Sequence, residues 1–411
     1  MRKVFFSMND FSKEGGGTIR MLGLMNDYAS LGNEVIFISN CPISKHHLFQ
    51  KNISLIYIDF SFSGKQKRIL QALLSIFPVF VVKIFFLKLF KKLNETFKPF
   101  KNEDIIFFEY LDNSIGYIAK KQKWVNGYIN DIHGVATEEF WFQHSNTKSF
   151  IKRCIFKAKF LSSKLLDKKV FENALGIIFS SHAMQDYFEK HYNLKNVKKY
   201  VVPNLISSNA ITQEIDTDLL RVISEKYQVE KNKIVLFAGG FKQTGGITDL
   251  ISAFEKVLTK TNHTILVLIG DGKIMPECKE LVSKLNLEKS VFFLGRIPYT
   301  KLRTYQEIAD VIVCPDKQNP FSDMILHLKY LDALISGKIV INGSFKSVQE
   351  INKDEFLSLN FTPSDIDSLA NSISFALENK EKLEIKYKCS KTYTAENLTY
   401  SKYISVLENY S

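Results

Sequence analysis

The stretch KIVLFAGGFKQTGGITDLISAFEKVLTKTNHTILVLIGDG, residues 233–272, decides the fold. An apolar run of strand length leads through a glycine-rich loop into a segment with helical spacing, and a second apolar run follows. Two buried strands joined through a helix form a parallel unit that is right-handed by default. The alternation continues to KIVING at 338–343, so this half predicts a doubly wound α/β domain.

The first half of the chain shows the same alternation. The apolar run KVFFSM at 3–8 precedes a glycine-rich segment, a helical segment and the strand-like EVIFIS at 34–39. The polar segment at 204–218 lacks a long apolar run and predicts the boundary between two such domains. The predicted divisions are 1–205, 206–385 and a C-terminal helix at 386–411 that packs back on the first domain.

Length and composition limit the class of protein. At 411 residues the chain exceeds one ordinary core, and 45% hydrophobic with 24% charged residues is typical of globular proteins. Its five cysteines form no CxxC pair, which disfavours a disulfide framework or a zinc site and fits a reducing compartment. The opening MRKVFFSMNDF has no long apolar run before a cleavage site, so we expect a cytoplasmic protein.

The net charge of +12 is concentrated in the stretches 64–100 and 147–170, each with eight Lys or Arg against one acid. The first stretch interleaves lysines with bulky apolar residues, and Pro78 interrupts an apolar run too short to span a bilayer. Two interpretations stay open: a helix pair in a membrane interface, or a core hairpin with solvated lysines. No nucleic-acid motif accompanies the charge, so we expect no nucleic-acid partner.

Three glycine-rich loops follow predicted strands. GGG at 15–17 opens a helix, AGGFKQTGG at 238–246 holds the equivalent place in the second domain, and IGDGK at 269–273 ends a further strand. Glycines at these points let backbone N–H groups approach an anion or a sugar closely. None of the loops matches a Walker A or GxGxxG pattern, and a flexible surface loop is the alternative for GGG.

PFSDMILHLKYLDALISGK, residues 320–338, predicts one buried helix that Ser322 caps and Gly337 ends. His327, Lys329 and Asp332 are polar residues within that otherwise apolar segment. Read alone, the segment is a core helix with three polar residues that packing does not explain.

These blocks together resemble a known enzyme family. VLFAGGFKQTGGITDLISAF, the run LVLIGDGK to VIVCP at 266–315 and LKYLDALISGKIVI resemble the donor half of retaining GT-B glycosyltransferases of family four, the glycosyl transferases group 1. The first half is similar through DIHG at 131–134, IIFSSHAM at 177–184 and VVPN at 201–204. The resemblance implies α/β GT-B architecture, with an acceptor-binding and a donor-binding Rossmann-like domain facing across a cleft. It also implies transfer with retention and no bound metal or other cofactor.

The resemblance assigns the donor site by position. The second acid of a Glu-x7-Glu motif, which binds ribose in the family, falls on Asp332, and Lys329 matches a basic position three residues earlier. The first acid of that motif falls on Met324, with Asp323 one residue away. The arginine and lysine that clamp the diphosphate fall on glycines, so Lys242 between them is the expected substitute.

The remaining predicted site residues follow from the same resemblance. His133 in DIHG matches the active-site histidine near the donor sugar, although a lone histidine is more often structural. Asp323 would address the transferred sugar, and the backbone of Arg296 and Ile297 would face the base. The glycines expected beside ligand are Gly16, Gly17, Gly240 and Gly245.

The sequence therefore predicts a hexosyltransferase-type enzyme that uses a UDP- or GDP-sugar. Its acceptor would be a saccharide or a lipid-linked saccharide in bacterial surface polysaccharide or lipopolysaccharide assembly, at the cytoplasmic face of the membrane. Two alternatives stay open. One is a GT-B nucleotide-sugar epimerase, which would not need the basic helices. The other is an inactive membrane-associated subunit, which the missing diphosphate clamp would suit.

Overall fold

The computed structural model describes residues 2–8, 16–40, 48–59, 63–100, 106–206 and 208–408. The chain divides into two compact units, the first made of 1–205 with 400–411 and the second of 206–399. Of the glycine-rich segment GGG, Gly15 lies outside the described residues.

The first unit holds a parallel sheet of seven strands in the order β3-β2-β1-β4-β5-β6-β7. The strands are β1 Arg2–Ser7, β2 Glu34–Ser39, β3 Ile53–Tyr57, β4 Ile106–Glu109, β5 Tyr128–Ile132, β6 Gly176–Phe179 and β7 Lys198–Val201. The helices are α1 Gly16–Ser30, α2 Gly64–Ile76, α3 Val79–Phe85, α4 Leu87–Phe97, α5 Asn113–Lys121, α6 Ala136–Asn146, α7 Phe150–Phe171 and α8 His182–His191. The central strands β4, β5 and β6 are buried along their whole length, as expected of a parallel sheet covered on both faces.

The second unit holds a parallel sheet of six strands in the order β10-β9-β8-β11-β12-β13. The strands are β8 Lys233–Ala238, β9 Thr264–Ile269, β10 Val291–Gly295, β11 Val311–Cys314, β12 Ile339–Gly343 and β13 Leu359–Phe361. The helices are α9 Ser208–Ile211, α10 Thr217–Tyr227, α11 Ile247–Leu258, α12 Met275–Lys284, α13 Tyr299–Glu307, α14 Leu328–Leu334, α15 Lys346–Gln349, α16 Ile366–Glu378, α17 Lys380–Tyr387 and α18 Ser390–Asn397. The predicted α/β class with two doubly wound domains is confirmed.

The strand order reverses once in each sheet, between β1 and β4 in the first unit and between β8 and β11 in the second. Loops that leave adjacent strands at such a point diverge to opposite faces and leave a crevice at the carboxyl ends of the strands. Gly16 and Gly17 open α1, the helix that follows β1, and the glycine-rich loop at 238–246 follows β8, so both sets of glycines lie at a switch point.

The end of the chain returns to the first unit at Tyr400. α17 and α18 belong to the second unit, so the predicted division at 386 lies within that unit. The short helices α19 Tyr400–Tyr403 and α20 Ser405–Glu408 belong to the first. The Tyr400 ring packs so closely on Gly23 of α1 that a Cβ there would lie 2.2 Å from it, and Ser401 N donates to Asp27 at 3.1 Å.

The single helix predicted over 320–338 is wrong. A 3-10 turn at Ser322–Met324 is followed by extended backbone at Ile325 and His327, and α14 begins only at Leu328. The hydroxyl of Ser322 bonds with the backbone of Asn319 instead of capping a helix. Buried Met324 and Leu326 flank half-buried Ile325, which is the alternation of an extended segment.

The basic stretch forms three helices rather than a pair. Ser63 and Gln66 make a capping box that begins α2, and Pro78 begins α3. One side of these helices is buried, whereas Phe80, Ile84 and other large apolar residues are exposed. The part of the chain that the structure describes contains no helix long and apolar enough to cross a bilayer.

Candidate functional site

The switch point of the second sheet is built by glycine backbone. Gly246 has φ of +67°, and a Cβ there would lie 1.7 Å from the carbonyl oxygen of Pro315, just after β11. Gly270 has φ of +127°, and its Cβ would lie 1.9 Å from the carbonyl oxygen of Gly239. Any side chain at either position would push these loops apart. The predicted Gly240 and Gly245 lie in the same loop without a positive φ, so conformation alone does not require glycine there.

Asp316 is the buried centre of this switch point. Its carboxylate contacts the Lys329 ammonium at 2.8 Å, and the Nε2 atom of His327 lies 4.0 Å away. Burial acts to raise the pKa of Asp316. The positive charges of His327 when protonated, of Lys329 and of Lys242 outweigh burial and hold that pKa below its usual range.

The structure brings the two predicted lysines to one place from two elements. Lys242 lies exposed in the glycine loop and Lys329 lies in the first turn of α14. The stem of Lys329 packs on the loop, with its Cδ 3.3 Å from a Cβ built on Gly239 and its Nζ 5.2 Å from the Phe237 ring centroid. Two cations and one carboxylate therefore leave this corner with net positive charge.

His327, which had no predicted role, belongs to the same cluster. Burial lowers its pKa, and Lys329 and Lys242 add to that effect against Asp316. The imidazole keeps 34% of its side chain exposed, and a lowered pKa makes it neutral at pH 7. A neutral imidazole can donate a hydrogen bond without adding charge.

Asp332 lies one turn after Lys329 on α14 and is held by Tyr299. The Tyr299 hydroxyl donates to Asp332 Oδ1 at 2.6 Å, and Gln306 donates to the Asp332 carbonyl at 3.0 Å. Burial raises the pKa of Asp332 to about 6, against the hydrogen bond from Tyr299, which lowers it. Asp332 therefore still carries its charge at pH 7.

Tyr299 also links Asp332 to the predicted base-facing residues. The exposed Arg296 and the half-buried Ile297 connect β10 to α13, which begins at Tyr299. The end of β10 thus lies beside the carboxylate of α14.

Asp323 lies outside this cluster of contacts. Its Oδ1 accepts a hydrogen bond from the backbone N–H of Lys346 at 3.2 Å, at the start of α15. The structure therefore shows Asp323 joining two loops, and its contact with a sugar stays a prediction.

The switch point of the first sheet carries a histidine–carboxylate pair. His133, after β5, places Nε2 3.2 Å from Oε1 of Glu109, the buried last residue of β4. The Tyr110 ring meets the imidazole edge-on at 5.9 Å. No described residue bonds with Nδ1 of His133.

The backbone of Gly17 lies directly against the His133–Glu109 pair. A Cβ there would lie 2.7 Å from His133 Nε2 and 2.8 Å from Glu109 Oε1, whereas one on Gly16 would meet nothing within 4 Å. Gly17 is therefore required by close approach, whereas none of the described residues comes as close to Gly16. Glu109 was not among the predicted site residues, although an acid at the end of an apolar strand is a signal in the sequence.

Among the described residues, no group of three or more His, Cys, Asp or Glu side chains is arranged to hold a metal ion.

Comparison with known proteins agrees with this architecture. Residues 221–391 match the family described as Glycosyl transferases group 1. An uncharacterized glycosyltransferase of Methanocaldococcus jannaschii is 29% identical over 150 residues, 36% of this chain and 37% of that protein. The alpha-monoglucosyldiacylglycerol synthase of Streptococcus pneumoniae is 27% identical over 180 residues, 43% of this chain and 39% of that protein. The chain thus spans about two fifths of the length of these curated relatives.

A solved structure extends the likeness to both units. HepE of Anabaena in complex with UDP-glucose aligns with a TM-score of 0.73 over 100% of both chains, at 15% identity, which shows a shared fold. The resemblance to GT-B glycosyltransferases is therefore confirmed. Residues 221–391, which form most of the second unit, are similar to the group 1 glycosyltransferases.

Proposed function

We propose that the chain transfers a sugar, with retention, from a nucleotide-sugar donor to a saccharide or lipid-linked acceptor. One observation carries the proposal: Lys242 and Lys329 converge on Asp316 at the switch point of the second sheet, one helical turn from Asp332. The arrangement offers positive charge for a diphosphate next to a carboxylate for a ribose.

The donor would lie along these groups in order. Lys242, Lys329 and the amides of the glycine loop would hold the diphosphate, and Asp316 would fix the direction of the Lys329 ammonium. Asp332 would accept hydrogen bonds from the ribose hydroxyls, since a carboxylate can accept two at once. The backbone of residues 296–297 would face the base. The UDP-glucose complex of the similar HepE supports a UDP-sugar, and a GDP-sugar is the other option.

The chemistry requires mainly electrostatic help. Breaking the sugar–phosphate bond moves negative charge onto the leaving diphosphate, where Lys242 and Lys329 would stabilise it. In a front-face reaction the leaving phosphate oxygen takes the proton of the acceptor hydroxyl, so no protein base is needed. His133, held by Glu109, and Asp323 would bind the transferred sugar. We expect activity to persist in a metal chelator, because the lysines supply the counter-charge.

The acceptor side is proposed from the surface of the first unit. Exposed apolar residues stand among the lysines of α2 to α4, which suits a peripheral position on an anionic cytoplasmic leaflet. The S. pneumoniae relative is named as the synthase of a glucosylated diacylglycerol, and this product class supports a lipid-linked acceptor. Assembly of a bacterial surface polysaccharide is the setting that we propose.

The test is incubation of the purified protein with labelled UDP- and GDP-sugars and a bacterial membrane extract. Label in the lipid or saccharide fraction supports the proposal, and NMR of the product decides retention. Interconversion of the free nucleotide sugar would identify an epimerase instead. Saturable donor binding without turnover would favour an inactive subunit, which glycines at the usual clamp positions 240 and 245 would explain.

A further inference from the structure

The first unit contains a cavity of about 550 Å³ that the donor-type site does not use. It lies between α2 and α7 at the carboxyl edge of the first sheet, where Met8 follows β1, Asn40 follows β2 and Tyr110 follows β4. Ligands of doubly wound sheets bind at this edge. The position of the cavity is therefore that of a binding site rather than of a packing defect.

Three cations line the cavity. Lys67 and Arg68 come from α2, and Lys159 comes from α7. Lys67 is paired with the buried Asp112. Among the described residues, no carboxylate lies within ion-pair distance of Arg68 or Lys159. The Lys159 ammonium instead lies over two aromatic rings, 5.6 Å from the centroid of Phe140 and 5.1 Å from that of Phe156.

Arg68 and Lys159 approach each other from different helices. Burial lowers the pKa of Lys159, and the positive charge of Arg68 lowers it further. Two like charges at the mouth of one cavity repel each other unless an anion lies between them. Arg68 is exposed and Lys159 is half-buried, and a phosphate group between them would interact with both charges.

The floor of the cavity does not oppose an anion. Asp167 is the acid that lines it, and burial raises the pKa of Asp167 to about 8, so the carboxyl is neutral at pH 7. Tyr110, Asn113, Ser162 and Ser163 add polar groups to the wall. Neutral donors next to two cations are the usual lining of a phosphate site.

Apolar surface adjoins the cations. Ala72, Phe140 and Leu166 form part of the cavity wall. On α7 the cavity residues recur at 159, 162, 163, 166 and 167, which is one helix face, and other positions around the helix expose large apolar side chains. These exposed side chains of α7 are Phe150, Ile151, Ile155, Leu161 and Leu165.

We propose that this cavity binds the phosphate or diphosphate group of an acceptor whose apolar chain lies along the exposed faces of α3 and α7. The proposal rests on the proposed glycosyl transfer and names the acceptor class. Arg68 and Lys159 bind the phosphate oxygens, and Ser163 of α7 donates to them, whereas the hydroxyl of Ser162 donates to the Lys159 carbonyl at 3.1 Å. The exposed residues that would meet the chain on α3 and at its ends are Phe77, Phe80, Ile84, Phe85 and Leu87.

The experiment measures binding of farnesyl diphosphate, inorganic pyrophosphate and phosphatidylglycerol vesicles to the full chain. The test variant is Arg68→Gln/Lys159→Gln. The matched control is Lys65→Gln/Lys157→Gln, which removes the same charge from the same helices at exposed positions outside the cavity lining. Circular dichroism and thermal melting confirm that both variants fold.

We expect farnesyl diphosphate to bind more tightly than pyrophosphate, and the test variant to lose about tenfold or more in affinity while the control stays within about twofold. Equal losses in both variants, or losses confined to vesicle binding, would reduce the site to general surface charge and overturn the proposal. Pyrophosphate binding as tight as that of farnesyl diphosphate would assign the cavity to free phosphates. Binding of a nucleotide sugar to the test variant separates the two proposals. The variant should bind the donor like the wild type, and absence of donor binding in both proteins would count against the proposed function rather than against the cavity.

Discussion

The ammonium of Lys329 lies 2.8 Å from the carboxylate of Asp316, across 13 residues of chain. Asp316 follows β11 and Lys329 lies in the first turn of α14, so the pair fixes the segment between them at the switch point. The exposed fraction is 18% for the lysine side chain and 7% for the aspartate side chain. Removing one partner from such a pair leaves a charge with little water around it.

Variants of the Lys329–Asp316 pair separate the role of Lys329 in stability from its role in donor binding. Lys329→Met should lower the free energy of unfolding by roughly 3 kcal/mol, because Asp316 loses its closest counter-charge. Lys329→Met/Asp316→Asn should recover most of the stability, yet both variants should bind the donor weakly. Urea unfolding and calorimetry with a nucleotide sugar check these outcomes. If the double variant bound donor like the wild type, Lys329 would have only a structural role.

Donor affinity should depend on pH through Asp332. Its pKa of about 6 means that it is protonated at pH 5, and a neutral carboxyl accepts ribose hydrogen bonds less well. Affinity for a nucleotide sugar should therefore fall about tenfold between pH 7.5 and pH 5. Asp332→Asn should bind weakly at both pH values with little change between them. The same pH dependence in that variant would place the titrating group elsewhere.

Glycine at 246 should be essential to the second unit. The Cβ of Gly246→Ala would collide with the Pro315 carbonyl at 1.7 Å, and φ of +67° adds strain. We expect a loss of more than about 2 kcal/mol in the free energy of unfolding. Gly240→Ala is the matched control for stability, because its Cβ would meet nothing closer than 3.5 Å. Equal melting temperatures for the two variants would contradict the close approach of the Gly246 and Pro315 loops.

Stability of the first unit should fall as the pH rises from about 4 to about 8. The folded state holds a proton on Asp167 up to its pKa of about 8, whereas the unfolded chain releases that proton near pH 4. The free energy of unfolding should therefore fall by up to about 1.4 kcal/mol per pH unit, and this dependence ends above pH 8. Tyr192 donates to Asp167 at 3.4 Å, and the charge of a deprotonated Asp167 would act on Tyr110 and Tyr187.

Asp167→Asn should remove that slope and be most stabilising, relative to the wild type, at pH 8. Both tryptophans of the chain, Trp124 and Trp141, lie in the first unit, so their fluorescence reports its unfolding in urea. Parallel pH profiles for the two proteins would show that Asp167 is ionised in the folded state.

The fold was predictable because local apolar runs carry it. Each run around 233–272 became a strand or a helix, since a strand buried on both faces needs a continuous apolar segment. The single helix predicted over 320–338 was wrong for a related reason. Its apolar residues satisfy helical spacing, but Asn319 holds Ser322 in a turn and the backbone of Lys346 holds Asp323. The contact from Lys346 comes from 23 residues away and has no local signal.

The candidate site was predictable only in part. Lys242, Lys329 and Asp332 were found through family position, and the structure places the two lysines around one carboxylate. Asp316 and Tyr299 were missed because each pairs with a residue 13 or 33 positions away. Pairing at that distance depends on how the strands are ordered in the sheet, which periodicity does not reveal.

The most direct test is calorimetric titration of UDP- and GDP-sugars into the wild type and into Lys242→Gln, Asp332→Asn and their double variant. Exposed Lys284→Gln on α12 is the control for a lost charge. We predict that the wild type binds one nucleotide sugar, that each single variant weakens binding about tenfold, and that the double variant weakens it about a hundredfold. A folded double variant that binds like the wild type, or a wild type that binds no nucleotide sugar, would contradict the account.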